Sequence, residues 1–150
     1  MVRISAGHLL RLAALPLLVP LSMAVSAGTV HACSGNDCPG VIVFGSGYSQ
    51  KGNGDIFPVH RATTFKLGTR FAMIAHLSAD AGTTRLTLRV ARGSAAHNFN
   101  YTVGHKTSNV VATTFLPSDL KTLRVTSPGK YTFSLLHGSK MLATGSMTEK

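Results

Sequence analysis

Thr84-Arg85-Leu86-Thr87-Leu88-Arg89-Val90-Ala91 sets the character of this chain. Leu86, Leu88 and Val90 fall on every second residue, and Arg85, Thr87 and Arg89 fill the places between them. Side chains of an extended strand point alternately to opposite faces, so this spelling buries one row and wets the other. The stretch is expected to be a half-buried strand with a basic outer face. Arg85 and Arg89 project from the same side of it, with Arg92 just beyond its end.

The same alternation continues outward in both directions. Arg70–Leu77 places Phe71, Met73, Ala75 and Leu77 on one face, and Val110–Leu116 is β-branched and aromatic, as strands are. Val41–Phe44 is a brief apolar run ending at Gly45-Ser46-Gly47, and Tyr48–Asp55 reads as a Gly/Asn-rich loop. Ile56–Val59 is expected at an edge, because Pro58 cannot donate a ladder hydrogen bond. Arg92–Asn98 reads as a loop, Phe99–Val103 as a short strand and Gly104–Asn109 as a turn. Pro117-Ser118-Asp119 punctuates, and Leu123 and Val125 point to one more short extended piece. Tyr131–Leu136 and Met141–Met147, joined by His137-Gly138-Ser139-Lys140, read as a β-hairpin.

No convincing helical period follows residue 33. Seven to nine short antiparallel strands, with turns about every 8–12 residues, predict an all-β sandwich over residues 41–150. Its expected core is Phe71, Met73, Leu77, Leu86, Leu88, Val90, Val111, Phe115, Tyr131, Phe133 and Leu135. The closing segment carries a more specific likeness. Ser127-Pro128-Gly129-Lys130-Tyr131-Thr132-Phe133, then Gly138 and Ala143-Thr144-Gly145-Ser146-Met147, resembles the end of bacterial immunoglobulin-like domains. That resemblance implies an immunoglobulin-like β-sandwich with Tyr131 in a tyrosine corner, its hydroxyl tied to a preceding turn. It implies a fold and not a function.

Residues 1–32 read as a secretory signal peptide. Arg3 and Arg11 give a basic start, Leu12–Val25 is apolar, and small residues follow. Pro16 and Pro20 argue against a stable membrane-spanning helix. Cleavage is expected after Ala27 or after Ala32. Val30-His31-Ala32-Cys33 resembles the lipobox of bacterial lipoproteins, although His31 departs from the small or aliphatic residue usual there. Residues 33–40 form a linker holding both cysteines, Cys33 and Cys38. In an exported chain they are expected either to pair as a disulfide or to leave Cys33 for a lipid. Both precede the first strand, so they are not the inter-sheet disulfide of antibody domains. The protein is accordingly expected to be exported: periplasmic, an outer-membrane lipoprotein or extracellular. It would meet a membrane only through a lipid on Cys33.

With Arg3 and Arg11 gone with the leader, 13 Lys and Arg remain against 5 Asp and Glu, a formal charge of +8. Such a balance favours polyanions. The charges are dispersed with no run of four, which argues against a dedicated nucleic-acid site. Lys66, Arg70 or Arg124 could extend the Arg85, Arg89 and Arg92 row if neighbouring strands align.

Catalytic chemistry finds little purchase. Asp37, Asp55, Asp80 and Asp119 each sit in turn-forming sequence, and Glu149 lies at the C-terminus. No convergent carboxylate pair and no Gly-x-Ser-x-Gly elbow is legible. His60, His76, His97, His105 and His137, with Met73, Met141 and Met147, offer soft ligands of the kind copper takes. No two of these histidines stand at i, i+2 in a strand, so no cofactor or metal is expected. The expectation is a non-enzymatic envelope accessory domain contacting another protein or an anionic polymer or lipid. The alternative is a small periplasmic copper-binding protein using His and Met ligands.

Overall fold

The computed structural model describes residues 38–150. The expected leader, both cleavage positions and Cys33 lie outside the described residues. Ten elements follow in order: β1 (Val41–Gln50), β2 (Ile56–Arg61), β3 (Thr64–Phe65), β4 (Phe71–His76), β5 (Arg85–Arg92), β6 (Ala95–Thr102), β7 (Val110–Phe115), α1 (Pro117–Thr122), β8 (Gly129–His137) and β9 (Lys140–Glu149).

The strands run β6-β5-β8-β9-β1-β4-β7 across one continuous sheet. That sheet curls. Along that path Phe133 of β8 is two strands from β1, three from β4 and four from β7, yet its ring meets Phe44, Phe71 and Phe115 of those strands at 5.4, 5.8 and 6.2 Å. Such contacts require β1-β4-β7 to fold across β6-β5-β8-β9 as a second layer. All the expected core residues lie in the cluster between the two layers. Four strands face three, and the first strand runs parallel to the last at Val41 and Thr144. A tyrosine corner completes the arrangement. Tyr131 Oη donates to the Ser127 carbonyl at 2.7 Å and accepts from the Ser127 N–H at 3.4 Å. The fold is immunoglobulin-like.

Several local features depart from the expected strands. Pairing is not antiparallel throughout, because β1 and β3 both lie parallel against β9. They cover an edge that would otherwise present unpaired backbone groups. β1 also continues past Gly45-Ser46-Gly47 to Gln50, where a loop was expected, and pairs with β2. Ile56 of β2 packs on Val43, Ala72 and Ile74. The β1–β2 hairpin therefore doubles back over the outer face of β4, which is buried on both sides.

Pro117-Ser118-Asp119 opens a helix and does not merely punctuate. Pro117 takes the first helical position, where its missing N–H costs nothing, and Asp119 Oδ2 accepts from the Leu116 N–H at 2.8 Å. Leu123 and Val125 are not a strand. They end α1 in a Schellman motif, with the Val125 N–H bonded to the Leu120 carbonyl (2.8 Å) and the Arg124 N–H to that of Lys121 (3.1 Å).

Candidate functional site

β5 alternates as its sequence dictates. Leu86, Leu88 and Val90 are buried, and Arg85 and Arg89 are exposed on the other face. Register fixes their neighbours. On β6, Arg85 faces Thr102, Thr87 faces Asn100 and Arg89 faces Asn98. On β8, Arg89 faces Ser134 and Ala91 faces Thr132. Those in turn face Thr144 and Ser146 of β9, and Lys130 faces Thr148. The outer side of the four-stranded layer is thus a field of hydroxyl and amide groups, Ser134 buried among them, carrying the exposed Arg85, Arg89 and Lys130.

Two cross-strand bonds hold that field. Thr132 Oγ1 and Ser146 Oγ are 2.9 Å apart, and Ser134 Oγ and Thr144 Oγ1 are 3.0 Å apart. Thr144 Oγ1 also reaches the Phe133 carbonyl at 3.2 Å. Pairs of this kind stiffen a sheet face. No carboxylate stands among β5, β6 and β8, and the one on β9, Glu149, is buried.

Arg92 does not continue the row. Its Nη2 donates to the Pro128 carbonyl at 2.7 Å, and its guanidinium lies 5.7 Å from the centre of the Tyr131 ring. Gly129 adopts φ +149°, and a Cβ there would sit 2.8 Å from Arg92 Nε. Arg92 therefore buttresses the tyrosine corner at the end of the sandwich. Lys66 and Arg70 flank β3 and β4 and so do not align beside β5.

The remaining candidates separate. Asp55 bonds Asn53 through both its backbone N–H and its carboxylate, and Asp119 caps α1. Glu149 is 1% exposed, and neither carboxylate oxygen has a hydrogen-bond partner. Loss of hydration raises its pKa from 4.5 to about 7. Met73 and Met147 fill the core, while Met141 is exposed. Among the described residues no three His, Cys, Asp or Glu side chains come together as a metal site. Cys38 is half-buried just before β1, its carbonyl accepting from the Val41 N–H at 3.2 Å.

Comparison with known proteins adds an outline. No protein-family model and no curated protein sequence matches the chain. Among solved structures, an immunoglobulin-like protein from Pseudomonas aeruginosa is similar over 74% of this chain and 93% of its own. The two are 20% identical, with a TM-score of 0.43. It is the strand order and the tyrosine corner, not this likeness, that make the present fold immunoglobulin-like.

Proposed function

We propose that this chain is an exported, non-catalytic binding domain that presents the outer face of β6-β5-β8-β9 to an anionic lipid surface or polymer of the cell envelope. The observation that carries the reading is a pair of exposed arginines, Arg85 and Arg89, on a hydroxyl field already cross-linked by its own hydrogen bonds. Four residues of strand separate the two by about 13 Å, a spacing that engages successive charges of an extended anion. Three of the described carboxylates support a non-catalytic role: Asp55 and Asp119 serve local structure, and Glu149 is enclosed. The leader-like sequence of residues 1–32 supports the export part of this reading.

Sedimentation with vesicles tests this. Vesicles containing phosphatidylglycerol should carry the protein down, phosphatidylcholine vesicles should not, and added salt should weaken the association. Arg85→Ala with Arg89→Ala should reduce the bound fraction at least tenfold at unchanged fold. Equal binding by the double variant, or no binding to anionic vesicles and polyphosphate at low salt, overturns the proposal. Retention by an envelope protein alone would point to a protein partner and also overturn it.

A further inference from the structure

We infer that a second site, at the end of the sandwich, binds a small phosphomonoester. A cleft of about 710 Å³ opens where β5 turns into β6, where α1 ends and where β8 begins. Its walls include Arg92, Arg124, Lys130 and His97, over Tyr131 and Leu123. Three fixed cations and an imidazole share this space with no carboxylate in the wall. Glu149, opposite Gly129 on β9, is enclosed in the core and does not line it. The volume is that of a small-molecule site, and the apolar floor suits the body of a ligand as the cations suit its head.

The backbone holds one of these cations in an uncommon conformation. Arg124 occupies the left-handed position that closes the Schellman motif, at φ +59°. Glycine fits that position without strain, and a side chain there is unfavourable. The chain nevertheless holds an arginine there, in the wall of the cleft, as strained residues are held at ligand sites. Arg92 is already fixed by Pro128 and Tyr131, so little freedom is lost when it meets an anion. Two guanidinium forks and an ammonium match a dianionic tetrahedral group better than a single negative charge. The site adjoins the flat face through Lys130, but Arg85 and Arg89 are not in its wall.

Calorimetric titration of the purified protein with glucose 6-phosphate, glucose 6-sulfate and glucose tests the assignment. Glucose 6-phosphate should bind with a submillimolar Kd, the monoanionic sulfate at least fivefold more weakly, and glucose not measurably. Arg124→Gly should weaken the phosphate ester at least tenfold while raising Tm, because it relieves the strained backbone. Lys130→Ala should weaken it similarly with Tm unchanged, which guards against a folding artefact in either variant. Arg85→Ala with Arg89→Ala should leave this binding intact, so the two sites fail separately. Absence of phosphate-ester binding, equal affinity for the sulfate, or affinity unaffected by both Arg124→Gly and Lys130→Ala would overturn the inference.

Discussion

Glu149 carries the clearest consequence at the level of a single side chain. It follows Met147 by two, so the alternation of β9 sends it to the interior, where its carboxyl finds no donor. Its pKa in the folded protein, about 7, lies above the ordinary 4.5. Below about pH 4.5 the group is protonated whether the chain is folded or not. Between 4.5 and 7 the unfolded chain releases the proton while the folded one keeps it. Stability therefore falls as pH rises through this window and levels off above it, by roughly 3 kcal/mol in all. Urea midpoints at pH 4.5 and pH 8 check this: the native protein should be weaker at pH 8, and Glu149→Gln should lose most of that difference. An undiminished pH difference in the variant would show that other groups cause it. The position was legible in principle, because Met141–Met147 already reads as a strand. Its inward place is hard to read nonetheless, because carboxylates rarely occupy buried positions.

Elements were legible where one strand alternates and obscure where two distant segments meet. Arg85–Arg92 announces itself within eight residues. The β1/β9 seam joins Val41 to Thr144 through a parallel contact that leaves no local spelling. Gly145 is its one trace. A Cβ at that position would collide with the Ile42 carbonyl oxygen and come within 2.9 Å of Ile42 Cβ, so backbone and side chain need the space. Gly145→Ala should cost about 2–3 kcal/mol and speed hydrogen exchange of the Thr144 N–H, which bonds the Gly40 carbonyl at 3.0 Å. Unchanged stability and exchange would mean that the two layers are not closed there. The helix α1 was missed for a related reason. Its start is capped from within by Asp119, behind a leucine that carries no capping group.

Across the whole sandwich, the two outer faces differ. That of β1-β4-β7 carries the β1–β2 hairpin over β4, whereas that of β6-β5-β8-β9 meets solvent with hydroxyls and cations. The positive balance could be counted in the sequence, but the arrangement could not. Which threonine stands beside which arginine depends on register between strands far apart in the chain, and Arg92 left its expected row for a contact with Pro128. Amide chemical shifts during titration with polyphosphate at low salt test the central claim most directly. Shifts should concentrate at Arg85, Thr87, Arg89, Ser134 and Thr144, leaving the β1–β2 hairpin still. Shifts centred on that hairpin or on β7, or none at all, would contradict the account.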